Sequence, residues 1–288
     1  MKNTIILLAV LFLNQIYAQN TANRFYYEFS VNKNDSVKSE SIISVLDITD
    51  KKSIYQDYTL FAQDSITKIQ IEEMQKTKQF GNMSKLKMNP KFSYKVVKEY
   101  PDYSIQFSEL IFSMDSPFRI AYNEKPKFNW EIQKETQKIG EYKTQKATTT
   151  FGGRTWVAWF TNEIPFQEGP YKFYGLPGLI VKIEDTGNNY SWILKGNKKI
   201  DNYSEFSYIE NLQSGGKQKV MQLSKEKFTK TYTDFRKDPF GNIRGQIPAN
   251  MLNKKMPGSD MSIGDMLSSQ ENNIKNMYNP LENPIELE

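Results

Sequence analysis

The chain has 288 residues, a formal charge of +5 from 38 Lys and Arg against 33 Asp and Glu, and neither cysteine nor histidine. The absent cysteines exclude disulfides, thiolate nucleophiles and thiolate metal sites; the absent histidines exclude Ser-His-Asp catalysis and His-bound metals. The modest positive charge is interleaved with acids and gives no basis for a nucleic-acid partner, so no cofactor, metal or nucleic acid is expected.

Met1–Ala18 reads as a secretory signal peptide: Lys2 supplies the positive end, Ile5–Leu13 is an unbroken apolar run, and Tyr17-Ala18 precedes a plausible cleavage point. The chain is therefore expected to be exported, to the periplasm or beyond the cell, with cleavage near Ala18. No other segment approaches the ~20 apolar residues of a membrane-spanning helix, so no stable span is expected. Residues 19–239 are expected to form one β-rich domain, with 240–288 an extended or partly disordered tail lacking periodicity and rich in Asn, Met, Gly and Pro.

In chain order, Arg24–Val31 alternates, with Phe25, Tyr27, Phe29 and Val31 on one face, and predicts a half-buried strand. A polar loop over Asn32–Glu40 leads to strands at Ile42–Ile48 and Ser53–Tyr58. Asp64–Lys78 predicts a helix, with Asp64 as N-cap and Ile66, Ile69 and Met74 as its stripe, broken by Ile71. Phe80–Asn89 reads as a solvated, Lys-rich loop. Further strands are predicted at Tyr94–Tyr100, Tyr103–Phe112, Phe118–Tyr122 and Phe128–Ile132.

Ile139–Phe160 is the strongest hairpin. Gly152-Gly153 suits a two-residue primed turn, which sets Phe151 opposite Arg154, Thr149 opposite Trp156, Ala147 opposite Ala158 and Lys146 opposite Trp159. A longer loop would shift these pairs. A second hairpin joins Leu179–Glu184 to Tyr190–Lys195 through Asp185–Asn189. Ser224–Asp238 predicts a helix capped by Ser224, with Phe228, Tyr232 and Phe235 on one side and Pro239 ending it.

Between the hairpins lies Pro165–Pro177, too apolar for an ordinary solvated loop. Its prolines bar it from a continuous ladder, so it must pack through Phe166, Tyr171, Phe173, Tyr174 and Leu176. It ends in Gly175-Leu176-Pro177-Gly178-Leu179-Ile180, whose glycines read as a tight corner before a strand. No helix with Lys and Ser or Thr follows, so this is not a phosphate loop.

Ile139-Gly140, Lys146–Thr149, Gly153-Arg154, Ala158–Phe160, Ile164-Pro165, Gly169-Pro170, Phe173 and Gly175–Ile180 together resemble the signature of the GLPGLI family, secreted proteins of Bacteroidetes named for that hexapeptide. Asn283–Leu287 resembles the ending of many members. Members often carry a Cys two residues before the Lys-Ala pair; Thr144 stands there, so no thiol role carries over. The resemblance implies export and architecture, and no activity.

Trp156, Trp159, Phe160, Tyr171, Phe173 and Leu176 read either as core between hairpin and irregular segment or as the lining of an aromatic concavity. Arg154 and Pro177 would stand beside it. Arg154 either binds an anion or pairs with a carboxylate or stacks on an aromatic such as Phe151. Glu163, Glu168, Glu184 and Asp185 are the nearby acids; a carboxylate pair is the hydrolytic route open to a chain without His, although none has diagnostic spacing. The expected fold is β-rich α+β: a large bent antiparallel sheet, at its limit a half-open barrel, with a few helices. The expected function is non-catalytic binding of an apolar or sugar-like ligand, or of an envelope protein, at that concavity. A carboxylate-based hydrolase of envelope polymers and a structural component of a surface complex are the alternatives.

Overall fold

In the computed structural model, which describes residues 20–32, 40–78, 90–112, 117–255, 260–279 and 284–287, twelve strands form one open sheet. The expected signal peptide, the loop Phe80–Asn89, most of the loop before β2 and Asn283 lie outside those residues. The strands are β1 (Ala22–Val31), β2 (Glu40–Ile48), β3 (Lys52–Asp57), β4 (Lys95–Glu99), β5 (Ser104–Ile111), β6 (Phe118–Glu124), β7 (Glu131–Ile139), β8 (Tyr142–Phe151), β9 (Arg154–Thr161), β10 (Leu179–Asp185), β11 (Tyr190–Ile200) and β12 (Val220–Gln222). Their order across the sheet is 12-6-5-4-3-2-1-11-10-9-8-7; β12 runs parallel to β6 and every other pairing is antiparallel. β12 and β7 are its two edges, so the sheet is not a closed barrel.

The β8–β9 hairpin has the register that its turn dictates. Gly152 and Gly153 have φ of +57° and +69°, the left-handed pair of a primed turn. Phe151 faces Arg154, Thr149 faces Trp156, Ala147 faces Ala158 and Lys146 faces Trp159. The β10–β11 hairpin turns on Asp185, whose carboxylate accepts from the backbone N–H groups of Asn189 and Tyr190, each at 2.7 Å.

Three expectations for strands and helices give way. β7 covers Glu131–Ile139 rather than Phe128–Ile132, and is almost wholly solvated. Its Lys, Glu and Gln residues guard an edge, where alternation has no core to face. The helix at Asp64–Thr77 is capped by Gln63, not Asp64, which instead accepts from Tyr208 N–H at 2.9 Å. Its sheltered side is Thr67, Ile71 and Met74, whereas Ile66 and Ile69 are exposed. Among its described residues, the segment beyond Phe240 is largely helical rather than extended. It holds three helices and a small core of Phe240, Ile243, Leu267 and Ile274.

The helices are α1 (Thr59–Ala62), α2 (Asp64–Thr77), α3 (Tyr208–Ser214), α4 (Lys225–Lys237), α5 (Gly241–Arg244), α6 (Ala249–Leu252) and α7 (Ile263–Asn276). Ser224 caps α4 as expected, and Phe228 and Tyr232 are buried. No helix among the described residues is long and apolar enough to cross a membrane.

One sheet face carries the main core. Alternate residues supply it: Tyr27 and Phe29 from β1, Tyr55 from β3, Val96 from β4, Phe107 from β5, Trp156 from β9 and Trp192 from β11. Phe29 stacks on Trp192 with ring centroids 4.6 Å apart. The other face of β4 presents Lys95, which pairs with α3.

Candidate ligand site

The segment between β9 and β10 lies on the core face and fills it. Trp156, Phe160, Tyr171, Phe173 and Leu176 are each at most 3% exposed. The aromatic concavity expected there is therefore occupied by its own side chains. Trp159 is half-buried under Lys146, while Gly175 and Pro177 are exposed. Gly178 is buried where β9 passes close by: a Cβ there would lie 2.1 Å from the Thr161 carbonyl oxygen. Leu179 and Ile180 are fully buried. The hexapeptide thus seats a plug between the two halves of the sheet.

Two buried lysines tie the plug down. Lys98 of β4 pairs with Glu168 at 2.5 Å and donates to the Gly169 and Phe173 carbonyls at 2.8 and 3.0 Å. Ser53 and Tyr100 donate to the same carboxylate. Lys172 sits between Glu124 and Glu286, 3.0 Å from the Tyr122 hydroxyl. Although burial opposes it, the Lys172 charge holds the Glu286 carboxyl below its ordinary value. Ile285, 1% exposed, and Glu286 thereby join the core. Arg154 pairs with Asp185 at 3.2 Å, lies over Tyr190 and donates to the Ile285 and Pro284 carbonyls. Its partner ring is Tyr190, not Phe151.

The acids near the motif do not assemble into a catalytic pair. Glu163 accepts from Lys143 N–H, Glu168 holds Lys98, Glu184 pairs with Lys182, and Asp185 builds its turn. Among the described residues no cluster of acids could hold a metal ion.

A cavity of about 610 Å³ opens elsewhere, at the β3–β6 end of the sheet beneath α1, α3, α4 and α7. The β3–β4 register, which sets Tyr55 against Val96, places Gln56 beside Lys95; Lys95 faces Ser108, and Ser108 faces Ala121. Arg119 lies two residues before Ala121 on the same face of β6. These residues look away from the plug. Leu60, Phe61, Phe112, Ile209, Phe235 and Ile274 supply apolar wall, and Lys217 and Lys219 stand at the rim.

The polar groups of this cavity are held firmly. Lys95 donates to Glu210 at 3.2 Å and lies over the Phe206 ring; burial brings its ammonium down to about 8. Glu210 also closes the α3 capping box, accepting from Ser207 N–H and Oγ, both at 3.0 Å. Burial opposes its ionisation, but the Lys95 and Arg119 charges keep its carboxyl below the ordinary value. Arg119 is 5% exposed and donates to neutral acceptors, the Gln218 side chain at 2.9 Å and the Ser93 carbonyl at 2.8 Å. Burial pushes its guanidinium down. Gln56 is 3% exposed and its side-chain nitrogen has no partner among the described residues. Behind Ser93, burial pushes Glu109 up to about 7.

Sequence reading assigns none of these residues to a site, and of the wall it singles out only Phe235, as part of the α4 stripe. Ser207-x-x-Glu210 was the available signal for α3, and Ser262-x-x-Asp265 for α7.

A family model described as a protein of unknown function (Porph_ging) matches residues 150–182, the hairpin turn through the hexapeptide. No curated protein matches the sequence. Among solved structures, PNGF-II is similar with a TM-score of 0.50 at 16% identity, over 75% of this chain and 34% of that one. A second crystal form of PNGF-II gives 0.49 at 15% identity, over 75% and 33%. The chain spans about a third of PNGF-II. The likeness is one of fold.

Proposed function

We propose that the chain is an exported protein of the GLPGLI type that holds a small ligand without transforming it, in the cavity between β3–β6 and α1, α3, α4 and α7. The observation that carries this reading is the cavity itself. Its volume of about 610 Å³ falls in the range of small-molecule sites, and its apolar walls converge on a few buried polar groups. The plug, by contrast, has its aromatics and charges fully engaged. Export is supported by the charge and apolar run of Met1–Ala18.

Native mass spectrometry of protein secreted under its own leader tests both parts. The expected spectrum shows a chain starting near Gln19 carrying a non-covalent adduct that organic solvent removes. A second arm narrows the cavity with Ile209→Trp, which should abolish the adduct while leaving the melting temperature close to that of the parent. An adduct unchanged by Ile209→Trp, or none in any preparation, would remove the cavity from consideration. An uncleaved chain would remove the export reading.

A further inference from the structure

The cavity wall holds buried polar groups whose direct partners are incomplete. Glu210 answers Lys95, but among the described residues no carboxylate forms an ion pair with Arg119, whose hydrogen bonds run to neutral oxygens. Glu210 and Glu109 act on this buried guanidinium only through space, so an anion within hydrogen-bond reach would offset more of its desolvation cost. Gln56 adds a second unmet demand. Its Nε2 is buried in the same wall and donates to nothing among the described residues, an omission that costs about 1–3 kcal/mol unless an acceptor arrives. Lys95 lies between the two in the sheet, with Gln56 next to it on β3 and Arg119 reached across β5 on β6. Three donors on one face thus meet a cavity whose apolar wall includes Phe61, Phe112, Phe235 and Ile274.

From this juxtaposition we infer that the ligand is an amphiphile with one anionic head, a carboxylate or a phosphate, set among Gln56, Lys95 and Arg119, and an apolar body along the aromatic and aliphatic wall. This rests on the ligand-holding role proposed for the same cavity. The Asp57 carboxylate at the cavity edge is turned to the N–H groups of Thr59 at 2.6 Å and Lys91 at 2.9 Å, which offset part of its repulsion of the head.

Isothermal titration calorimetry on the mature chain tests it with four probes of equal tail: dodecanoate, dodecyl phosphate, dodecanol and dodecyltrimethylammonium. The anions should bind about tenfold or more tightly than the alcohol, and the cation least. Whichever anion binds more tightly distinguishes a fatty-acid-like ligand from a phosphate-bearing one. Arg119→Gln and Gln56→Leu should each weaken the anions by about tenfold and leave dodecanol unchanged. Gln56→Leu removes a nitrogen that holds nothing, so it keeps the test decisive if Arg119→Gln does not fold. Dodecanol binding as tightly as dodecanoate, and lost in Ile209→Trp, would overturn the anionic head while leaving the cavity a ligand site. No binding by any probe would overturn both.

Discussion

The two halves of the sheet solve the same packing problem differently. On the core face, the segment between β9 and β10 returns over the sheet as far as β4 and β6 and fills it with Tyr171, Phe173 and Leu176, sealing two lysines against carboxylates. At the β3–β6 end, helices from remote parts of the sequence close over the sheet and leave about 610 Å³ unfilled, with the Gln56 amide nitrogen short of a partner. Aromatic density therefore marks where the molecule is closed. The unpartnered Gln56 amide lies where it is open.

The largest effect should come from unbalancing the plug. Removing one member of a buried ion pair leaves a stranded charge, so Glu168→Leu should cost about 3–5 kcal/mol in urea unfolding. Pairing it with Lys98→Met should recover much of that loss. If the single change costs no more than the double, the pair is not what holds the plug. Gly178→Ala comes next: its Cβ would collide with the Thr161 carbonyl, a backbone atom that cannot yield, and the cost should be ~1–3 kcal/mol or more.

Legibility in the sequence follows the same divide. The β8–β9 register could be read because Gly152-Gly153 fixes the turn and the small residues of one arm match the tryptophans of the other. The core role of Trp156 and Leu176 was legible for the same local reason, though not whether they left a concavity. The cavity was not legible. Gln56, Lys95 and Arg119 fall at outward positions of three strands, and each reads as a solvated side chain until sheet order brings them together. Glu210 belongs to a helix signalled only by its capping box. β7 escaped because an edge strand with neither face buried has no alternation to detect.

The helical side should also show itself through pH. Burial raises Glu109 from 4.5 to about 7. A group raised in the folded state gives stability that is complete below about pH 4.5 and is lost as pH rises through 7. Glu109→Gln should therefore be more stable than the parent at pH 8–9, by on the order of 2–3 kcal/mol, and about equal near pH 4.5. Equal melts of the two proteins at pH 9 would show that Glu109 is not desolvated. A smaller effect concerns the ligand. Because Lys95 titrates near 8 beside Glu210 and Arg119, dodecanoate affinity should decline a few-fold between about pH 7 and 9.5. A flat profile would place the head away from Lys95.

The claim that the hexapeptide is structure and the cavity is function meets its most direct test in one paired measurement: melting temperature and dodecanoate affinity for Leu176→Ala and Gln56→Leu. Leu176 is 1% exposed, so its truncation should cost ~2–5 kcal/mol and lower the melting temperature while folded protein still captures the anion. Gln56→Leu should melt with the parent and bind about tenfold more weakly. The reverse pattern, an unchanged melt with lost binding for Leu176→Ala and undiminished binding for Gln56→Leu, would contradict the account.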